Sequence, residues 1–155
     1  MNTFLTEPLP RQSTISMGIY GGSSAPQRAR RTVLSQFSGQ LTELGAADLA
    51  LIISELVTNS VLHANVGPQQ ILTVECAALP DRLRVTVTDP GSELRPRLRS
   101  PDDPAGGGCG LRVVESLSCA WGVMRSPAGK TSVWCELPFD PSPPQNPPDQ
   151  HDDAA

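Results

Sequence analysis

The sequence predicts an α+β domain: a two-layer α/β sandwich in which a mixed, mostly antiparallel sheet carries helices on one face. Three observations predict it. Apolar residues recur at the helical period across Ala46 to Ala64. Two pairs of short alternating segments flank turn sequences, Leu79-Pro80-Asp81-Arg82 and Ser126-Pro127-Ala128-Gly129, as hairpins do. The order is strand, helix, helix, two strands, long loop, helix, two strands, which segregates helices from hairpins rather than alternating them.

Taken in order, residues 1–12 are polar and Pro-containing and form a loose leader ahead of the domain at 13–138. Thr14 to Tyr20 alternates Ile15, Met17 and Ile19 and reads as a strand. Gly21 to Pro26 breaks it, with Ser23 or Ser24 placed to cap a helix over Gln27 to Phe37. That helix is expected to turn Arg28, Arg30 and Arg31 to solvent.

On the second helix, Leu49, Ile53, Leu56, Val57 and Ala64 share one arc. Asp48, Glu55 and Asn59 lie along one flank of it, with His63 at the boundary. Asn65-Val66-Gly67-Pro68 stops the helix. Ile71 to Ala77 and Leu83 to Thr88 form the first hairpin. Asp89 to Gly108 is a long loop rich in Gly, Pro, Ser and Arg, of a length usually tied to function or motion. Leu111 to Leu117 reads as a short helix, and Trp121 to Met124 with Ser132 to Leu137 as the second hairpin. Residues 139–155 form an acidic, Pro-rich tail, expected to be disordered. There is no internal repeat.

The chain has 155 residues, enough for one domain with a real core. Its net charge is -4. The tail holds Asp140, Asp149, Asp152 and Asp153 and no base, so the remainder is neutral and nothing calls for direct contact with nucleic acid. No continuous apolar run approaches a bilayer span, and the N-terminus lacks the basic-then-apolar pattern of a secretory signal, so a cytoplasmic location without a membrane partner is expected. Cys76, Cys109, Cys119 and Cys135 show no metal-ligand spacing and read as free thiols.

Three segments have chemistry in them. Glu55 and Asn59 stand one helical turn apart, so a carboxylate and a carboxamide are presented together. Magnesium prefers oxygen donors and keeps several waters, which suits Asn59 with phosphates, and Glu55 is placed to accept a proton. By itself such a pair is also an ordinary solvated flank. Asp89-Pro90-Gly91 ends a strand: Asp89 can accept a hydrogen bond from an amino group, and Gly91 permits close approach. An ordinary turn has the same appearance. Gly106-Gly107-Gly108-Cys109-Gly110-Leu111 leads into a helix whose free N–H groups suit phosphate, or forms a hinge without a ligand. It is not a Walker motif, and neither is Gly129-Lys130-Thr131, which lacks the upstream glycine and the following helix.

Together, in this order and spacing, the three segments resemble the N, G1 and G2 boxes of the GHKL ATPases, the Bergerat-fold superfamily of histidine-kinase catalytic domains, Hsp90, the gyrase ATPase and MutL. The resemblance covers Arg28 to Pro138. Within that superfamily Glu55 to His63 (ELVTNSVLH), Gly108 to Leu111 and Gly129 to Pro138 look most like the RsbW and SpoIIAB group, bacterial anti-sigma-factor serine kinases.

The resemblance implies ATP and Mg2+ as cofactors, with Asn59 as the Mg ligand and Glu55 as the general base. It implies that Asp89 holds the adenine amino group, that Thr131 supports the same edge through water, and that Gly91 lines the base pocket. Gly106, Gly108, Cys109, Gly110 and Leu111 would enclose the phosphates beneath a lid. His63 matches the pattern too, either reaching the phosphates or favouring the helix C-terminus. Two residues depart from it: Glu93 stands where a second glycine is common, and Cys109 where relatives often carry a polar or basic residue. Arg95, Arg97 and Arg99 precede the lid, either as compensating charge or as an exposed basic loop.

The function so implied is ATP-dependent anti-sigma regulation, with phosphorylation of a serine on a STAS-type antagonist. The partners would be that antagonist, a sigma factor and a second copy of the chain in a homodimer. The alternative is a non-catalytic module that binds ATP and sequesters a sigma factor or other regulator. A histidine-kinase fragment is disfavoured, because the chain carries no phosphoacceptor domain.

Overall fold

The computed structural model describes residues 13–91 and 109–139. The leader, the tail beyond 139 and the segment 92–108 lie outside them, and with that segment Glu93, Arg95, Arg97, Arg99, Gly106 and Gly108. The elements run β1 (Thr14–Tyr20), α1 (Ala25–Gln36), α2 (Glu43–His63), β2 (Ile71–Ala78), β3 (Arg82–Asp89), α3 (Cys109–Leu117), β4 (Ala120–Arg125) and β5 (Thr131–Pro138). The sheet order is β1-β2-β3-β5-β4, and all its pairings are antiparallel.

The α+β expectation holds, and the sheet described is wholly antiparallel rather than mixed. Strand alternation sets the two faces. Leu72, Val74, Cys76 and Ala78 of β2, Leu83, Val85 and Val87 of β3, and Val133, Cys135 and Leu137 of β5 are buried beneath the helices. Against them pack Ala29 and Val33 of α1, Leu49, Ile52, Ile53, Leu56 and Val57 of α2, and Leu111 and Val114 of α3. The other face is polar. There Arg82 and Arg84 each reach Glu136 at 3.0 Å, and the Arg84 guanidinium lies 4.3 Å over the Trp134 ring.

The helix ends show why some boundaries moved. α2 starts at Glu43, three residues before the apolar period predicts, because Thr42 in extended conformation accepts the Gly45 N–H at 3.1 Å. A first turn containing Gly45 hides this start from any propensity argument. The end of α2 is as expected: Asn65 adopts φ 53, the left-handed region that Asn tolerates. Ser24 occupies the N-cap of α1, yet its side chain makes no capping bond; Pro26 pre-sets the first turn instead.

Arg28 and Arg30 correct the expected exposed face of α1. Both are half-buried. Arg28 donates to the Tyr20 carbonyl at 2.5 Å, tying α1 to β1, and Arg30 donates to Ser54 Oγ at 3.0 Å, tying α1 to α2. Only Arg31 of the three is exposed.

α2 has 21 residues and a most apolar window of mean hydropathy 1.4, so its length and composition alone would allow a bilayer crossing. Its apolar side instead packs on the sheet. The same helix carries Glu43, Asp48, Glu55 and Asn59.

Candidate nucleotide site

The site is built along one side of α2. Glu55 and Asn59, both half-buried, face the start of α3. A Cβ added to Gly110 would stand 2.5 Å from Glu55 Oε2 and 3.3 Å from both Oδ1 and Nδ2 of Asn59. The first turn of α3 therefore lies directly on the Glu55–Asn59 pair, and a residue without a side chain is what lets it approach. Asn59 Nδ2 is buried and has no hydrogen-bond partner. Buried polar atoms are normally satisfied, so this amide is prepared for a group that arrives with a ligand.

The other end of the site forms around Asp89, the last residue of β3. Among the described residues the buried polar side chains are Ser60, Asp89 and Thr131, each 4% exposed, and Glu136. Three of these four meet in one place. Asp89 and Thr131 are opposite each other in the β3–β5 register. The Ser60 hydroxyl on α2 favours the ionised form of the Asp89 carboxylate. Asp89 Oδ1 accepts the Gly91 N–H at 2.8 Å. Burial pushes the Asp89 carboxyl above its ordinary range, while the Gly91 N–H, the Ser60 hydroxyl and the charge of Arg125 act against that rise. Thr131 Oγ1 is buried without a partner. An anchored carboxylate and an unused hydroxyl thus border the same spot.

The two ends are joined through adjacent residues. Asn59 and Ser60 differ by about 100° around α2, so one turn of one helix serves both.

Gly91 has φ 104, and a Cβ there would overlap the Gly129 carbonyl oxygen. What first requires glycine at 91 is thus the backbone of the β4–β5 hairpin, so Gly91 fixes the end of β3 against it. Leu111 is a core residue, which leaves its backbone rather than its side chain for phosphate contact. Gly110 and Cys109 lie in the first turn of α3. His63 is the final residue of α2, one turn beyond Asn59 and half-buried.

Ser60 was not among the residues expected here. Its signal was nevertheless present: on the helical wheel it falls within about 20° of both Leu49 and Ile53, in the middle of the apolar arc. A hydroxyl at such a position calls for a polar neighbour, and Asp89 is the polar group it acts on.

A family model described as a histidine kinase-like ATPase domain matches residues 24–134, a span that contains every element from α1 to β4 and the first half of β5. The chain belongs to the histidine kinase-like ATPase domain family. Membership of this GHKL group makes it an ATP-binding domain of kinase-like type. Among solved structures, it is similar to the histidine kinase domain of the E. coli osmosensor EnvZ, determined by NMR, with 18% identity and a TM-score of 0.40 over 92% of this chain and 97% of that one. The assignment to the ATPase family rests on the family model. No curated protein shows significant sequence similarity to the chain.

Proposed function

We propose that this ATPase domain is an anti-sigma regulator that transfers the γ-phosphoryl group of ATP to a serine of a STAS-type antagonist. The observation that supports it most is the closure of α3 over Glu55 and Asn59, with the Asn59 amide buried and unpartnered. Adenine would lie at the other end, its exocyclic amine donating to Asp89 and its edge supported by Thr131 through water. The phosphates would meet the N–H groups at the start of α3, including those of Cys109, Gly110 and Leu111.

The donor set fits magnesium. Asn59 offers a neutral oxygen and Glu55 lies beside it. No group of three or more His, Cys, Asp or Glu that could hold a metal alone occurs among the described residues. Such an ion would therefore come with the nucleotide and complete its shell with phosphate and water. Its chemistry when bound is to neutralise charge on the phosphates.

The chain's own contribution is positioning and proton transfer. Glu55 accepts the proton of the incoming serine hydroxyl. The serine oxygen bonds to the γ-phosphorus, the bond from that phosphorus to the β–γ bridging oxygen breaks, and ADP leaves. The partners (a sigma factor, the antagonist and a second copy of the chain) and a cytoplasmic location belong to the same proposal.

The test is incubation of the purified protein with Mg-ATP and its cognate STAS protein. Phosphoserine on that protein, lost with Glu55→Ala, is expected. Normal ATP binding with no labelled partner would contradict the kinase reading.

A further inference from the structure

We propose that Arg125 is a further ligand-binding residue, whose guanidinium bounds the base on the β4 side of the site; this rests on the reading of Asp89 as the residue that meets adenine. Asp89 stands opposite Thr131 in the β3–β5 register, and Thr131 stands opposite Arg125 in the β4–β5 register. Opposed residues of antiparallel strands project from the same face. The three side chains therefore form one row across three neighbouring strands, on the face turned to the helices. Two strand spacings put the Arg125 backbone about 10 Å from that of Asp89, a gap that a purine and a long side chain fill together.

Burial falls along the row. Asp89 and Thr131 are buried, and Thr131 Oγ1 has no partner. Arg125 is exposed. The same face of β4 carries Trp121, which packs against the core, and Val123, which is 38% exposed. The strand thus runs out from beneath the helix layer, and its last residue stands open at the rim of the site. On the outer face of the sheet Arg82 and Arg84 are held by Glu136, whereas Arg125 has no ion pair among the described residues. Its charge still reaches the Asp89 carboxyl, where it favours the ionised form.

A guanidinium is planar and carries only donors. It suits the ring-nitrogen acceptors of adenine and the face of the ring. With the amine donating to Asp89, those acceptors and that face are what the base presents to the rest of the row. Lys130, the other cation of this hairpin, lies in the turn before β5 and outside the row.

The experiment measures affinities of the full chain for ATP and ADP by calorimetry with magnesium, and for adenosine by its displacement of ADP. The proteins are wild type, Arg125→Met and Lys130→Met, with melting temperatures alongside. Methionine keeps an apolar stem and removes the donors and the charge. Arg125→Met is expected to weaken all three ligands by the same factor, about threefold to tenfold, as one charge-assisted contact does. Lys130→Met is expected to leave adenosine at its wild-type affinity. Both variants should melt within a few degrees of the wild type, as exposed substitutions do. A loss confined to ATP and ADP would put the charge at the phosphates and overturn the inference. So would unchanged affinities in Arg125→Met, or an adenosine loss in Lys130→Met equal to that in Arg125→Met. Each of these results leaves the ATP site standing. Failure of the wild type to bind ATP would instead overturn the site reading and this inference with it.

Discussion

Gly110, in the first turn of α3, lies so close to Glu55 that a β-carbon on it would stand 2.5 Å from Glu55 Oε2. Two elements separated by the whole first hairpin are thus brought together at a single glycine. The nearest atom is the end of a flexible side chain, so the fold can absorb a methyl group there by moving Glu55. Gly110→Ala should therefore fold, and helix propensity favours it by up to about 1 kcal/mol. Thermal unfolding should show a melting temperature equal to or above that of the wild type, while phosphoryl transfer falls by roughly tenfold or more because Glu55 is displaced.

Asp89 is predicted to trade stability for binding. Its carboxyl is pushed upward by burial, so the folded state holds its proton more tightly than the unfolded chain does. The cost to stability is full above the folded-state pKa, fades as pH falls through it, and is gone below the ordinary carboxylate value. Asp89→Asn should raise the stability of the ligand-free protein at neutral pH, seen as a higher melting temperature. That gain should vanish in acid, below about pH 4. Nucleotide affinity should fall throughout. Thermal melts across pH with and without ATP check both halves.

Gly91 should behave in the opposite way to Gly110. Its φ of 104 disfavours side chains, and the obstacle is the Gly129 carbonyl, a backbone atom that cannot swing away. Gly91→Ala should destabilise the domain by about 2–4 kcal/mol, through backbone strain and a clash. Chemical denaturation would show this with no nucleotide present, which separates a structural role from pocket lining.

The strands and the core were legible because period-two alternation and the apolar arc of α2 are physical requirements of burial. Every strand of the sheet was placed to within two residues. The start of α2 was not, because Gly45 conceals the cap that Thr42 provides. Arg28 and Arg30 read as solvent-facing because sequence cannot show that neighbouring carbonyls and hydroxyls wait for them. Glu55, Asn59, Asp89 and Thr131 were named individually, yet their spacing along the chain does not reveal that Asn59 and Ser60 join the two ends of one site. Ser60 went unread because a small polar residue in an apolar face resembles filler. Gly106 and Gly108, and the lid expected there, lie outside the described residues.

Glu55 and Asn59 should separate cleanly despite being one turn apart. Glu55→Ala should retain ATP affinity within a few fold and lose transfer to the antagonist by about 10²–10⁴-fold, the usual contribution of a general base. Asn59→Ala should lose Mg-dependent affinity instead. Because Asn59 Nδ2 is buried without a partner in the protein, its removal should not destabilise the fold. Single-turnover phosphorylation together with calorimetry distinguishes the two effects.

The central claim is that one side of α2, with Asp89 and the start of α3, forms an ATP site. The most direct measurement is calorimetric titration of ATP into wild type, Asn59→Ala and Asp89→Ala, each with and without magnesium. The account predicts magnesium-dependent binding by the wild type, loss of the magnesium dependence with Asn59→Ala, and loss of affinity of at least about tenfold with Asp89→Ala, given the cost of one buried charge-assisted bond. Wild-type affinity in both variants, with all three proteins folded, would contradict it.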